Sequence, residues 1–380
     1  MNGSGTHSSG LQRHAIAPAV VLRGSGVWRE ALPAIAGLCQ RPLLLGRSAA
    51  TRALRQQLTA DLRSCGLAPE AVELQHDCCE AELQPLEHLT RAAGCDAVLA
   101  AGGGKVLDAG KLLAHRLGLA CITVPTSAAT CAGWTALANI YSPQGAFEGD
   151  VTLERCPDLL VFDHDLVRQA PPRTLASGIA DAMAKWYEAS VSSGASSDGL
   201  VQQAVQQARV LRDQLLLEGP LALESPGSEA WVRMAEASAL TAGLIGGIGG
   251  ARCRTVAAHA VHNGLTQLQA THGRLHGEKV GFGILVQLRL EEVVGGNRLA
   301  AQARRQLLPF FQRLGLPVSL ADLGLADASL SALEGVCDFA CRPGSDLHHL
   351  PFAVEASDLL AALVSTTAAR TNSGVSRHQS

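Results

Sequence analysis

Short apolar runs alternate with helical patterns over the first 165 residues of the chain. The runs have the length of buried strands, and the segments between them repeat apolar residues at helical spacing. Strands that alternate with helices are joined by right-handed crossovers, so the pattern predicts an α/β fold with a mainly parallel sheet. The predicted strands are Arg41–Gly46, Val72–Gln75, Ala97–Ala101, Cys121–Val124 and Leu159–Asp163, and the predicted helices between them are Ser48–Ser64, Glu80–Ala93 and Val106–Leu117.

The second half of the chain has a different pattern. Long amphipathic or wholly apolar segments follow one another after Pro172, without strand patterns, which predicts an all-α domain. We expect an α/β domain over 11–165, a helical domain over 166–369 and a ligand cleft between them. The ends, 1–10 and 370–380, are expected to be disordered. The predicted helices are Thr174–Ser193, Gly199–Leu217, Glu229–Leu244, Arg254–Leu268, Val280–Val293 and Ala300–Leu314.

Composition excludes several classes of protein. The net charge is −3 without a Lys/Arg cluster, so nucleic acid is not an expected partner. No apolar run reaches membrane-spanning length, and the N-terminus lacks the apolar core of a signal peptide. The 11 cysteines have no regular spacing, which indicates reduced thiols and a cytoplasmic location. We expect a small-molecule partner, and the oligomeric state stays open, a homo-oligomer included.

Two small loops at one sheet edge are candidates for phosphate binding. Gly102–Lys105 joins a predicted strand to a helix, where backbone N–H groups and the helix dipole favour an anion. This loop matches neither standard nucleotide fingerprint, and a structural turn explains three glycines equally well. A hydroxyl-rich loop with Thr126, Ser127 and Thr130 follows the next strand, and two such loops suit a pyrophosphate. The segment Gly246–Gly250 follows no strand and is interpreted as a flexible helix connection.

Four of the 13 histidines lie between Val256 and Lys279. His259 and His262 are three positions apart, so they share a helix face, and His276 follows 17 positions after His259. Clustered imidazoles can hold a metal if a carboxylate joins them, although each alone is also explained as a hydrogen-bonded surface or core residue. The candidate carboxylate is Asp181, which opens an apolar helix and would be costly to bury without a partner.

Five segments in order resemble the iron-containing alcohol dehydrogenase superfamily, and most of all its glycerol dehydrogenase and hydroxycarboxylate dehydrogenase branch. They are GGGKVLDAGK (102–111), VPTSAATCAGWTAL (124–137), GIADAMAKWYEA (178–189), AAHAVHNGLT (257–266) and LHGEKVGFGILVQ (275–287). The resemblance covers roughly 40 to 360. It implies a dehydroquinate synthase-like fold, with a Rossmann-like NAD(P)-binding domain, a helical metal-binding domain and a divalent ion in the cleft.

The resemblance also assigns residues. The family's metal ligands fall on Asp181, His259 and His276, and a fourth ligand of one branch is replaced here by Lys185. Three protein ligands leave an open position for water or substrate oxygen. His262 then becomes a neighbour of the metal site, and His272 a surface or loop residue. The family's cofactor contacts fall on Gly103, Gly104, Lys105, Thr126, Ser127, Thr135, Leu137 and Tyr141, and Asp108 matches the motif without a clear role.

Three positions bear on the ligands. Cys131 stands where glycerol dehydrogenases carry a polyol-binding aspartate, and a thiol cannot accept hydroxyls in the same charged manner. Arg47 replaces the acidic residue that would hold an NAD ribose, which suits the 2′-phosphate of NADP, or else Arg47 is a solvated helix-start residue. Lys185 lies one helical turn after Asp181, where a cation favours an anionic substrate, or else the two form a simple helix ion pair.

The expected enzyme is a metal-dependent, NAD(P)-linked alcohol dehydrogenase acting on a small 2-oxo or 2-hydroxy acid or a polyol. A metal ion, zinc or iron, would act as a Lewis acid on the substrate oxygen. The alternatives are a glycerol dehydrogenase proper, using NAD, a lyase similar to dehydroquinate synthase, and a non-catalytic metal or nucleotide binder. An open metal position beside a nicotinamide site argues against the binder.

Overall fold

A computed structural model describes residues 13–250 and 253–366; the two ends predicted to be disordered, 1–10 and 370–380, lie outside the described residues. Six parallel strands form the central sheet. They are β1 (Val20–Gly24), β2 (Pro42–Gly46), β3 (Glu70–Glu73), β4 (Ala97–Gly102), β5 (Ala120–Pro125) and β8 (Leu159–Asp163). Their order across the sheet is β1-β8-β5-β4-β2-β3, and all neighbours run parallel. The parallel sheet confirms the predicted fold class.

Helices cover both faces of this sheet. β2, β4 and β8 are buried along their whole length, which explains why these strands read as continuous apolar runs. The helices are α1 (Val27–Leu38), α2 (Arg52–Ser64), α3 (Glu80–Ala92), α4 (Gly104–Leu117) and the short α5 (His164–Val167). The chain runs from β2 out to β3 and then back past β2 to β4, so the crevice for a ligand opens where β2 and β4 end.

A two-stranded antiparallel hairpin was not predicted. It consists of β6 (Leu137–Tyr141) and β7 (Phe147–Thr152), with a register shift near Tyr141 and a turn that contains Gly145 at φ 94°. The hairpin belongs to the first half of the chain but is fastened to the second half. The Phe147 amide donates to Thr266 Oγ1 at 2.9 Å, and Gln267 donates to the Phe147 carbonyl at 3.0 Å.

The second half is helical among the described residues, as predicted. Its helices are α6 (Pro172–Ser193), α7 (Gly199–Glu224), α8 (Glu229–Glu236), α9 (Ala242–Gly249), α10 (Ala257–Leu265), α11 (His276–Val293), α12 (Arg298–Arg313), α13 (Leu330–Ala340) and α14 (Ala356–Ser365). A π-helical turn, Ala237–Thr241, joins α8 to α9. None of the helices in the described part of the chain is both long and apolar enough to cross a membrane.

Two expectations about this half were wrong. Asp181 does not open its helix but lies in the middle of α6, where it is buried. The glycine-rich segment is not a flexible connection, because Gly246–Gly249 form the last turn of α9 and only Gly250, at φ 67°, leaves the helix. Helix α9 packs closely against α7, so small residues are needed for contact rather than for mobility.

Candidate active site

A cavity of about 770 Å³ lies between the carboxyl ends of the strands and helices α6, α10 and α11. That volume suits a dinucleotide together with a small substrate, since ligand sites in proteins span roughly 300–1,000 Å³. The cavity wall contains every residue proposed from the sequence: Arg47, Gly103, Gly104, Lys105, Asp108, Thr126, Ser127, Thr130, Cys131, Thr135, Leu137, Tyr141, Asp181, Lys185, His259 and His276.

The glycine loop forms the N-terminus of α4, which begins at Gly104, two residues before the predicted start at Val106. Gly103 caps the helix without a side chain, and a Cβ there would find no protein atom nearer than Ser127 Oγ at 4.0 Å. A Cβ on Gly104, by contrast, would come within 3.1 Å of Thr130 Oγ1. No side chain therefore fills the space in front of Gly103. The free N–H groups at the start of the helix face this space, where an anion could bind.

Asp77 was missed in the sequence, although it follows β3 at the same edge as the two loops. Its buried carboxylate contacts both Arg47 Nη1 and Lys105 Nζ. Lys105 also lies 4.9 Å from the centroid of the Tyr141 ring. Arg47 is therefore neither a freely solvated residue nor an unpaired cation. It is part of an Asp77–Arg47–Lys105 cluster beside the glycine loop.

Several of the other proposed cofactor residues are tied together by Lys111. Its buried ammonium pairs with Asp108 at 3.0 Å and donates to Thr135 Oγ1 at 3.2 Å and to the Leu137 carbonyl. Asp108 Oδ2 also accepts from the Asn139 amide at 3.3 Å. The Asp108 carboxylate thus joins α4 to the hairpin, which gives it a structural explanation that the sequence did not supply.

Three side chains from three helices meet at the other end of the cavity. Asp181 Oδ1, on α6, lies 3.4 Å from His259 Nε2 on α10 and 3.3 Å from His276 Nε2 at the start of α11. The close crossing of α6 and α11 makes this meeting feasible. A Cβ on Gly277 would stand 1.8 Å from the Ser177 carbonyl oxygen, so only glycine allows the two helices to approach so near.

Hydrogen bonds from behind orient both imidazoles toward Asp181. Glu188 Oε2 accepts from His259 Nδ1 at 2.6 Å, so Nε2 is the ring atom available to a metal. His276 Nδ1 lies 3.0 Å from His262 Nε2, and His262 Nδ1 lies 2.8 Å from Asn263 Oδ1. If the asparagine oxygen accepts, His262 must accept from His276, and His276 Nε2 is then unprotonated. This series of hydrogen bonds fixes His262 behind His276, on the side away from Asp181.

The three-residue cluster fits a divalent metal ion. Ligand atoms bound tetrahedrally at about 2.0–2.2 Å lie roughly 3.3–3.6 Å apart, which matches the two distances to Asp181. All three ligand atoms lie within 4.8 Å of one another. Asp181 Oδ1 is fully buried and has no hydrogen-bond partner among residues 13–250 and 253–366, which is costly unless a cation completes the site.

The charges in this cluster favour a bound cation. Burial acts to raise the pKa of Asp181, but His276, His259 and Lys185 hold it well below its usual range, so the carboxylate is ionised. Burial acts to lower the pKa of His259, but Glu188 and Asp181 raise it to about 9. Without a metal, a proton on His259 therefore balances part of the negative charge, and a metal would displace that proton.

Lys185 and Cys131 lie beside the cluster. No oxygen of Asp181 comes within ion-pair distance of Lys185, so the simple helix pair is not the arrangement in the described structure. Burial acts to lower the pKa of Lys185, but Cys131, Asp181 and Glu188 raise it, and the ammonium keeps its charge. Burial raises the pKa of the Cys131 thiol, so this position offers a neutral group.

His272, in the loop before α11, is partly buried and bonds through Nε2 to the Thr266 carbonyl at 2.9 Å.

Known proteins share this architecture. Residues 18–164 match the family described as iron-containing alcohol dehydrogenase. A glycerol dehydrogenase of Pseudomonas putida is 35% identical over 80% of this chain and 83% of that protein. The chain belongs to the iron-containing alcohol dehydrogenase family. An uncharacterized oxidoreductase of Synechocystis sp. is 54% identical to this family member over 93% of this chain and 91% of that protein.

Two further proteins similar to this chain carry dehydrogenase names. Hydroxycarboxylate dehydrogenase A of Escherichia coli K12 is 35% identical over 75% of this chain and 78% of that protein. The crystal structure of a probable glycerol dehydrogenase from Sinorhizobium meliloti 1021 has a TM-score of 0.81 at 30% identity, covering 92% of this chain and 96% of that one. The chain is thus an oxidoreductase that acts on alcohol groups of small molecules, with NAD(P) and a divalent metal.

Proposed function

We propose that the enzyme interconverts a small 2-oxo acid and its 2-hydroxy acid, with Asp181, His259 and His276 as the metal ligands. The observation that carries the proposal is the buried, unpartnered Asp181 oxygen between two oriented imidazoles, in the same cavity as the glycine loop. In the forward direction, hydride from NAD(P)H adds to the carbonyl carbon and one proton adds to the oxygen, giving the hydroxy acid and NAD(P)⁺. A bound divalent ion supplies Lewis-acid polarisation of the carbonyl.

The chain's own residues hold and orient the reactants. The N–H groups at the start of α4, around Gly103 and Gly104, and the hydroxyls of Thr126 and Ser127 are proposed to hold the cofactor diphosphate. With a metal bound, Glu188 and His262 would hold His259 and His276 in the tautomers that offer both Nε2 atoms to it. Holding two reactants in one geometry removes much of the entropic barrier.

The anionic substrate is inferred from Lys185. It is a charged ammonium, buried at the metal end of the cavity, and no described acidic side chain pairs with it. A polyol is the second candidate, because several relatives are named glycerol dehydrogenase. Against it stands the neutral Cys131 at the position of the polyol-binding aspartate. A hydroxyl bound to a thiol has a weaker acceptor than a hydroxyl bound to a carboxylate.

For the cofactor we propose a preference for NADP. Arg47 and Lys105 carry two positive charges against the single carboxylate of Asp77, so the cluster keeps a net positive charge that suits a 2′-phosphate. An aspartate and two imidazoles suit zinc, iron and other divalent ions alike, so the donor set does not choose the metal.

The experiment is a panel of carbonyl and alcohol substrates on protein loaded with zinc or with iron. NADPH and NADH are tested with 2-oxobutanoate and 2-oxoglutarate, and NAD⁺ and NADP⁺ with glycerol. Metal-dependent oxidation of NADPH by a 2-oxo acid, with a higher kcat/KM than any polyol gives, is the expected result. Efficient glycerol oxidation with NAD⁺ and no turnover of 2-oxo acids would assign the enzyme to the second candidate.

A further inference from the structure

Arg254 is a cavity residue outside the five family motifs. It lies between α9 and α10, a few residues before His259. Its side-chain stem packs on the last turn of α9, where a Cβ on Gly246 would come within 3.3 Å of Arg254 Cγ. The glycine-rich end of α9 thus makes room for this arginine at the wall of the active-site cavity.

Arg254 and Lys185 both line the cavity, as do Arg274 and Lys279, of which Lys279 is engaged by the carbonyls of Thr271 and Arg274. Within the described ranges, neither Arg254 nor Lys185 has a carboxylate oxygen within 4.0 Å, whereas Arg47 at the opposite end is paired with Asp77. The carboxylates of the cavity wall at this end have other partners. Glu188 accepts three hydrogen bonds from α10 and its N-cap, and Asp181 faces two imidazoles. Asp346 Oδ1 lies 3.7 Å from His349 Nδ1. The pKa of Lys185 is raised overall: burial acts to lower it, Cys131, Asp181 and Glu188 raise it, and Arg254 opposes them as a like charge.

We propose that Arg254 and Lys185 together form a subsite for the carboxylate of the substrate, which makes Arg254 a specificity-determining residue. The inference rests on the proposed dehydrogenase function. A planar guanidinium can bind a carboxylate through two parallel N–H bonds, while the ammonium adds a point charge nearer the metal ligands. A neutral carbonyl compound would leave both cations unpaired in a confined site, and such sites discriminate strongly against ligands that lack the bonding group.

The location favours the substrate over the cofactor as the occupant. Lys185 and Asp181 lie on the same helix, one turn apart, so the subsite adjoins the metal cluster. The cofactor diphosphate is proposed to lie at the N-terminus of α4, a helix of the other half of the chain. A carboxylate between Arg254 and Lys185 would sit next to a carbonyl at the metal, as it does in a 2-oxo acid.

The test compares two substrates that differ only at the proposed contact. 2-Oxobutanoate carries a carboxylate where 1-hydroxybutan-2-one carries a neutral CH₂OH group. Arg254→Met keeps the length of the side chain and removes its charge, Arg254→Lys keeps the charge without the planar fork, and Arg209→Met, at an exposed site on α7, is the charge-matched control. Steady-state kcat and KM are measured for the metal-loaded full chain with each substrate.

Arg254→Met is expected to raise the KM for 2-oxobutanoate about 10- to 100-fold, which corresponds to the loss of one charged hydrogen bond. The KM for 1-hydroxybutan-2-one and the bound metal should stay as in the wild type, and Arg254→Lys should recover part of the loss. Binding of oxamate, a non-reducible carboxylate analogue, gives a calorimetric readout without turnover and should be lost in parallel.

The outcomes separate the two proposals. If Arg254→Met changes the KM of both substrates alike, or of neither, the carboxylate subsite is wrong while the dehydrogenase function stands. If the wild-type protein oxidises NAD(P)H with neither carbonyl compound, the proposed function fails. Oxamate binding that depends on Arg254 would still support the subsite in that case, and oxamate binding that ignores Arg254 would overturn it.

Discussion

Glu188 offers a sharp test of how the metal ligands are held. Its side chain is fully buried on α6, two helical turns after Asp181. Oε1 accepts from the amides of Val256 at 2.7 Å and His259 at 3.0 Å, and Oε2 accepts from His259 Nδ1 at 2.6 Å. The substitution Glu188→Gln keeps the shape of the side chain but turns one acceptor into a donor.

The side-chain amide that Glu188→Gln introduces has two orientations, and their energies differ. With its NH₂ toward the two backbone amides, two buried N–H groups lose their acceptor, at about 1–3 kcal/mol each. With its oxygen there, both bonds survive and the NH₂ faces His259 Nδ1, which must then accept. The second orientation is therefore favoured, and it moves the imidazole proton to Nε2, the atom proposed to bind the metal.

Glu188→Gln should therefore weaken metal binding about 10- to 100-fold, the usual range for a partner of a ligating histidine. The melting temperature of the metal-free protein should fall by less than about 4 °C, because the backbone bonds remain. Chelator competition with zinc, and the optical spectrum of bound cobalt, measure the affinity. Glu291→Gln is the matched control, because Glu291 is a buried carboxylate at the far end of α11 with Gln287 and Asn297 as partners. An unchanged dissociation constant in Glu188→Gln would refute the tautomer argument.

Four further outcomes are expected. Because the pKa of His259 is raised to about 9, metal affinity should increase as pH rises toward 9, about tenfold per unit, in equilibrium dialysis. The same raised pKa stabilises the metal-free protein fully below pH 6.5, and this stability should be lost as pH rises through about 9 in urea titrations. Arg47→Ala should lower kcat/KM for NADPH at least about tenfold while NADH is little affected, and Asp77→Asn should shift the ratio in the opposite direction; equal changes for both cofactors would contradict the 2′-phosphate assignment. Thr266→Val leaves the Phe147 amide without its acceptor, so it should reduce stability by about 1–3 kcal/mol in the same titrations.

The fold could be predicted where apolar periodicity is strong. The buried strands β4, β5 and β8 and the long helix α6 follow directly from their continuous or helical apolar patterns. The hairpin could not be predicted in this way. Its strands lack a continuous apolar run: β6 is only partly buried and half of β7 is exposed, and Thr266, which holds Phe147, is distant in sequence.

The metal ligands of the candidate site were predicted from the sequence, but two other residues of its wall were not. Asp181, His259 and His276 were proposed from motifs, and the structure brings their ligand atoms together. Asp77 and Arg254 were missed because each matters only through a residue from another element. The rule that polar groups after parallel strands meet at one edge could have found Asp77. Nothing in the sequence places Arg254 near Lys185, since that depends on how α9 packs against its neighbours.

The bonds between the hairpin and the loop after α10 also constrain how this enzyme can be recombined with its relatives. A chimera that joins two parents near residue 165 would take β6 and β7 from one and Thr266 and Gln267 from the other. The Phe147 backbone would then meet a surface that did not evolve with it, even if both parents fold well. Crossovers that exchange 137–152 together with the helical half would keep this contact within one parent. The segments to exchange as a unit therefore differ from the two halves of the sequence on either side of residue 165.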